Sequence, residues 1–284
     1  MTKYAITGAS GQLGKLALDE LLAKVPAEDA VAVVRDPSRL ADYAARGVDV
    51  RQADYNDPAS LEAAFRGVDR VLFISGNAVG ERELQHGNVI DAAKKAGVSY
   101  IAYTGILHGD SSPLLLKGEH VATEKLLAAS GLNHDLLRCG WYSENYTGNL
   151  GASIEVGAIF GASGDGRISS ASRADIAAGA VAALVGSEGG KVYEIAGDEA
   201  WTMAEFAAEV SRQAGKAVEY RDMGEEEYAK VLEGAGIPAP FAALLASTSA
   251  LTAEGALEDH SGDLSRLAGR PTTPIAETIR AALG

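Results

Sequence analysis

One short stretch near the N-terminus, Gly8-Ala9-Ser10-Gly11-Gln12-Leu13-Gly14, restricts the possible folds more than any other. It follows an apolar run, Lys3–Thr7, and opens a stretch of helical periodicity, about Gly11–Ala23. A strand that turns through glycines straight into a helix is the context a dinucleotide-binding turn requires. The glycines permit the tight turn and let main-chain N–H groups approach a pyrophosphate. The positive end of the helix dipole then faces the anion. A tight strand-helix turn without a ligand uses the same residues, so the rest of the chain has to decide between the two.

The first half repeats one pattern. Short β-branched runs at Lys3–Thr7, Ala30–Val34, Val48–Gln52, Arg70–Ile74 and Tyr100–Tyr103 alternate with helical stretches. The helices are expected at about Gly11–Ala23, Asp36–Ala45, Pro58–Phe65 and Arg82–Ala96. A sixth apolar run, His134–Leu137, follows. Such alternation indicates βαβ units and a parallel sheet covered on both faces. Asp57-Pro58 reads as a helix cap with proline at the first helical position, and Gly47, Gly67 and Gly97 stand where helices end. The fold class is therefore α/β, a Rossmann-type doubly wound parallel sheet.

After about residue 150 the rhythm changes. Gly161–Gly166 is glycine-rich but is flanked by strand-like sequence on both sides, which suits a loop joining strands better than a phosphate loop. Asp175–Leu184 reads as a small-residue helix and Lys191–Ala196 as a strand, a return to the sheet from about 175–200. Thr202 with Glu205 has capping-box spacing. The rest, Glu225–Gly284, reads as short helices broken by prolines. We expect a dinucleotide-binding Rossmann domain over 1–150 and a smaller, mostly helical cap over 151–284.

Charge and cysteine usage exclude several functions. With 25 Lys and Arg against 39 Asp and Glu, the formal net charge of the 284-residue chain is −14. A nucleic-acid partner, which needs clustered cations, is not expected. The single cysteine, Cys139, rules out a disulfide framework and a multi-cysteine zinc site, and no metal site is expected. No signal peptide and no membrane span are visible, so the cytoplasm is the expected compartment.

The end of the second strand chooses the cofactor. An acidic residue there suits the ribose 2′-hydroxyl of NAD, and an arginine suits the 2′-phosphate of NADP. Here the strand ends in Arg35, whose guanidinium matches a phosphate with charge-assisted hydrogen bonds. Asp36 follows and is expected to cap the next helix, and Arg39 could add a second positive charge. NADP(H) is the expected cofactor. Asp54, after the third strand, would face the adenine or form a turn, and Ser75 and Asn77, after the fourth, would pass near the ribose.

The catalytic position is marked by an absence. The GxxGxxG spacing is that of short-chain dehydrogenases, whose usual acid-base pair is a YxxxK on the helix after the fourth strand region, sought here after Tyr103-Thr104. In this chain the helix His120–Leu127 puts His120 at the lysine position and Leu116 at the tyrosine position. Ordinary alcohol oxidation is therefore not expected. Quinone reduction asks less of the protein, because a quinone readily accepts hydride and water can protonate the product. Thr104, His108, His120 and Tyr142 are candidate proton donors, although packing or hydrogen bonding explains each as well.

Several longer stretches, AITGASGQLG, VAVVRDP, VRQADYND, QHGNVIDAAKKAGV, IAYTGILHGDSSPL, GWYSENY, SASRAD and GRPTTPIAETI, together carry a resemblance. The chain resembles the NmrA-like branch of atypical short-chain dehydrogenases, and within it the type 2 NAD(P)H:quinone oxidoreductases of bacteria. The resemblance implies NADPH-dependent reduction of quinones by direct hydride transfer, without flavin or metal, with the quinone entering between the two domains. It also implies that Gly8, Ser10, Gly11, Gln12 and Leu13 form the phosphate loop and that Arg35 holds the 2′-phosphate. Gly140, Trp141, Tyr142, Ser143, Glu144 and Asn145 would shape the nicotinamide side, and Arg173 would reach the cofactor. A monomer or homodimer is expected. The alternatives are a non-catalytic NADP(H)-sensing regulator that binds a protein partner and a flavin or azo-dye reductase.

Overall fold

The computed structural model describes residues 1–284. Eleven strands run along the chain: β1 (Tyr4–Thr7), β2 (Ala30–Val34), β3 (Asp49–Gln52), β4 (Arg70–Phe73), β5 (Tyr100–Ile106), β6 (Asn133–Cys139), β7 (Ala158–Gly161), β8 (Arg167–Ile168), β9 (Val192–Ile195), β10 (Trp201–Thr202) and β11 (Glu219–Asp222). Thirteen α-helices join them. In the first half these are α1 (Gln12–Leu22), α2 (Ala41–Ala45), α3 (Pro58–Ala64), α4 (Arg82–Ala96) and α5 (Lys117–Ser130). Then come α6 (Glu144–Thr147), α7 (Leu150–Val156), α8 (Arg173–Gly186), α9 (Met203–Ala214), α10 (Glu225–Gly234), α11 (Ala239–Thr252), α12 (Asp263–Ala268) and α13 (Ile275–Leu283).

Seven strands form one sheet in the order β3-β2-β1-β4-β5-β6-β9, and every pairing in it is parallel. The chain winds outward from β1 to β3, then returns to the other side of β1 with β4. That reversal opens a crevice at the carboxyl ends of β1 and β4, where ligands of doubly wound sheets bind.

Strand periodicity divides the core. Ile6, Leu72, Tyr100 and Ala102 face the layer of α1 and α8, joined by Leu18, Leu21, Ile176 and Val181. Their neighbours Ala5, Val71, Phe73, Ile101 and Tyr103 face α3, α4 and α5. Because both faces are covered, the strands read as continuous apolar runs rather than alternating ones. A third apolar cluster, with Trp201, Met203, Phe206, Leu150 and Ile279, lies in the later part of the chain, where β7 pairs with β11 and β8 with β10. α8 and β9 belong to the main sheet layer, and Leu264 of α12 packs into the same layer, so the segment after residue 150 leaves that layer and re-enters it twice. No helix is long and apolar enough to cross a membrane.

Several boundaries differ from the sequence reading, β6 running Asn133–Cys139 rather than His134–Leu137 and α8 Arg173–Gly186 rather than Asp175–Leu184, and two further differences have an evident cause. β5 continues past Tyr103 to Ile106, because β6 pairs with it through Ile106–Cys139 and carries Thr104-Gly105 along in the ladder. The expected helix over Asp36–Ala45 is a 3-10 turn, Pro37–Leu40, followed by the short α2. The proline and the Asp36 cap tighten its start. The capping box at Thr202–Glu205 is formed in both directions, and Gly161–Gly166 lies in a strand-to-strand connection as expected.

α1 approaches the end of β1 so closely that Gly14 has no room for a side chain. A Cβ there would lie 2.3 Å from the Gly8 carbonyl oxygen and 2.7 Å from the Ala9 Cα. Both are backbone atoms of the turn and cannot move independently of it. Gly14→Ala should cost about 1–3 kcal/mol as overpacking, read as a fall in the thermal unfolding midpoint. An unchanged midpoint would show that the turn yields.

Candidate cofactor groove

The crevice predicted by the strand order is present as a groove of about 540 Å³. That lies within the usual range for small-molecule sites, roughly 300–1,000 Å³. Its floor begins with the glycine turn. Gly8 adopts φ +60°, a left-handed conformation that glycine takes without steric cost, and its carbonyl accepts the Gly11 N–H at 2.9 Å. Gly11 is the N-cap of α1, so the N–H groups of Gln12 and Leu13 have no carbonyl one turn back to receive them. No acidic residue stands in the first turn of α1. Orphan donors, a helix dipole and no local carboxylate form an anion site. Gly8, Ser10, Gly11, Gln12, Leu13 and Gly14 all line the groove.

At one end the groove is bounded by Arg35 and Arg39. Neither guanidinium has a carboxylate within salt-bridge distance. Asp36 stands between them but is turned to its own cap: its carboxylate accepts the Ser38 N–H at 3.0 Å and the Ser38 hydroxyl at 2.6 Å. Those hydrogen bonds hold its pKa below the usual carboxylate value. The residue that complicates the sequence reading is thus occupied by its neighbour. Asp54 also lines the groove, with its side chain accepting the Asn56 N–H at 2.8 Å, so it forms a turn and faces the site at once.

Ser75 and Asn77 line the middle of the groove, on a turn held from beneath by side chains. The Thr7 hydroxyl accepts the Ile74 N–H at 3.1 Å and the Thr104 hydroxyl accepts the Ser75 N–H at 2.9 Å. Tyr55 donates its hydroxyl to the Ile74 carbonyl at 2.8 Å. Thr104 is buried and engaged here, behind the turn rather than in the groove.

The far end is closed by Tyr142 and Arg173. The Arg173 guanidinium lies 4.2 Å over the Tyr142 ring, a cation–π contact. Glu144 accepts the Arg173 backbone N–H at 2.9 Å and pairs with its guanidinium at 3.4 Å, while Asn145 accepts a third contact at 3.1 Å. Arg173 is therefore a fixed, largely neutralised wall, unlike Arg35. Burial pushes the Tyr142 pKa well above the ordinary phenol value, so its hydroxyl stays protonated at neutral pH. No protein group accepts from that hydroxyl.

The other sequence candidates lie elsewhere. Gly140 donates its N–H to the Ile195 carbonyl, and Trp141 packs against the third apolar cluster. Ser143 is fully buried with its hydroxyl 2.9 Å from that of Ser170. Glu144 and Asn145 reach the groove only through Arg173. His108 sits away from the groove in a left-handed conformation, φ 64°, its N–H bonded to Glu194 and its ring to the Glu258 carbonyl. His120 is buried against the Tyr103 hydroxyl at 2.8 Å, and burial pushes its pKa down to about 4.

Several lining residues escape the sequence reading, among them Asn56, Ala78 and Gln85 on α4. The signal for Gln85 is present but indirect. The buried stripe of α4 begins Arg82, Gln85, His86 before it becomes Val89, Ile90 and Ala93. Polar residues on a stripe that should be apolar mark a site, and periodicity alone passes over them.

Comparison with known proteins agrees with this geometry. Residues 8–186 match the sequence model of a family described as NAD(P)H-binding. Quinone oxidoreductase 2 of Escherichia coli (strain K12) is 50% identical over 97% of this chain and 96% of its own. The crystal structure of NADPH-dependent quinone oxidoreductase QOR2 from Escherichia coli complexed with NADPH superposes with a TM-score of 0.97 at 48% identity, covering 99% of this chain and 100% of that one. Citrobacter sp. triphenylmethane reductase complexed with NADP(H) superposes at 0.94 with 38% identity, over 99% and 100%. An NmrA-like family domain-containing oxidoreductase, flvB, of Aspergillus flavus is 30% identical over 98% of this chain and 94% of its own. With its glycine turn, its parallel sheet and these relatives, the chain belongs to the NAD(P)H-binding, NmrA-like family of oxidoreductases.

Proposed function

We propose that this chain reduces quinones with NADPH by direct hydride transfer. The observation that carries the reading is its 50% identity to quinone oxidoreductase 2 over 97% of the chain. The groove supports it from the residues upward. The N–H groups of Gln12 and Leu13 and the dipole of α1 suit a pyrophosphate. Arg35 and Arg39, without carboxylate partners, suit the extra phosphate of NADPH over the bare ribose of NADH. When bound, NADPH supplies the hydride.

The chain's own part is orientation and proton supply. From Arg35 after β2 to Tyr142 after β6 the groove crosses the ends of β1, β4 and β5, about 19 Å at the usual strand spacing. A cofactor anchored by its phosphates at the Arg35 end then lies extended toward Tyr142. The Tyr142 hydroxyl, protonated and without a protein acceptor, is available to donate to a developing hydroquinone oxygen. We assign residues 1–150, with the returning segment near 175–200, to cofactor binding, and the remaining part of 151–284 to the lobe flanking the quinone.

Two experiments test the reading. Purified protein mixed with NADPH and a panel of quinones should consume NADPH faster than the uncatalysed reaction. Tight NADPH binding with no such turnover would favour a sensor instead. Arg35→Ala should weaken NADPH binding on the order of 10- to 100-fold, as expected for loss of hydrogen bonds to a charged group. NADH binding should change little, and equal losses for the two cofactors would refute the 2′-phosphate role.

A further inference from the structure

The Ile74–Asn77 turn presents three successive N–H groups to the protein interior, and each meets a side-chain acceptor. Two are the Thr7 and Thr104 hydroxyls. The third is His86, whose Nε2 lies 3.0 Å from the Gly76 nitrogen. An amide N–H can only donate, so Nε2 must carry a lone pair and the ring proton must sit on Nδ1. There it donates to the Thr123 hydroxyl at 2.8 Å, which in turn donates to the Glu119 carbonyl at 2.9 Å. The chain of hydrogen bonds is complete only for a neutral His86 in this one tautomer.

The surroundings enforce that state. His86 is fully buried, with its ring centroid 4.8 Å from Phe73, 5.7 Å from Tyr103 and 6.4 Å from Tyr55. Arg82, one turn earlier on α4, donates its Nε to the Gly76 carbonyl at 2.6 Å and pairs with Glu119 of α5 at 3.0 Å. His120 of α5 stands beyond Tyr103. The ionisable groups facing His86 are thus Arg82, Glu119, His120, Tyr103 and Tyr55, with Glu119 already engaged by Arg82. Gly76 is held at both its N–H and its carbonyl by α4, while Gly76, Asn77 and Gln85 line the groove above.

We infer that His86 is a positioning residue for the cofactor: by accepting the Gly76 N–H, its neutral ring fixes the turn at the middle of the groove in its binding shape. This rests on the NADP(H) reading given above. Protonation of Nε2 would set a donor against a donor and push the turn toward the groove. Burial, with His120 and Arg82 nearby, holds the His86 pKa down to about 3, so the ring stays neutral through the physiological range. Because that folded value lies below the unfolded one, about 6.5, the stability it contributes is complete above the unfolded value. That stability is lost progressively as pH falls toward 3.

The test combines variants with a measurement on the unaltered protein. His86→Gln offers a neutral carbonyl acceptor that cannot protonate, and His86→Phe keeps a ring without an acceptor. NADPH dissociation constants by calorimetry should stay within about 3-fold of wild type for the Gln variant and rise about 10-fold or more for Phe. The Gln variant should also lose less thermal stability than wild type between pH 6.5 and pH 4. In parallel, long-range proton–nitrogen NMR of the wild-type protein should show His86 protonated on Nδ1 alone. That readout holds even if the Phe variant does not fold. Failure of the wild type to bind NADPH would overturn the cofactor reading. Wild-type binding together with an Nε2-protonated His86, or a folded Phe variant of unchanged affinity, would overturn the role of His86 alone.

Discussion

The close approach of α1 to the end of β1 sets the rest of the arrangement. Only a residue without a Cβ fits at Gly14, where the turn's own carbonyl would otherwise be struck at 2.3 Å. That contact aims the helix N-terminus at the crevice and brings Leu18 and Leu21 onto the sheet face formed by Ile6 and Leu72. The same contact serves packing and the anion site. A helix set further out would weaken the hydrophobic layer and move its N–H groups away from the groove.

The fold was largely legible in the sequence because its strands are buried on both faces and its helices are amphipathic. Ala30–Val34 and Arg82–Ala96 stand in the structure with the bounds expected of them. The misread start of α2 has a local cause, Pro37 and the Asp36 cap, whereas at the end of β5 tertiary pairing overrides local preference. Thr104-Gly105 breaks an apolar run but remains in β5 because β6 lies alongside it. The lining of the groove was legible where one residue type has one job, as at the glycine turn and Arg35. It was less legible where a backbone turn is held by distant side chains. Thr7, Thr104 and His86 come from three different elements, and only the folded sheet brings them under one turn. Trp141 and Ser143 share a motif with Tyr142 but face away from the groove, because the segment alternates between two clusters as it leaves β6.

A chain with a net charge of −14 that binds a polyanion has to control charge locally. The first turn of α1 carries no carboxylate, Asp36 is consumed by its own cap, and Glu144 is paired with Arg173. Beneath the middle of the groove the same logic selects the acceptors. A carboxylate would accept the N–H groups of Ile74, Ser75 and Gly76 more strongly than a hydroxyl or a neutral imidazole does. It would also place a negative charge in a low-dielectric interior directly beneath the anion groove, where repulsion is weakly screened. Two threonine hydroxyls and one neutral histidine fix the turn without that repulsion. The neutrality of His86 and the placement of the groove's unpaired cations at Arg35 and Arg39 are then two consequences of one requirement, an anion site whose lining holds a single carboxylate, Asp54, inside an acidic protein.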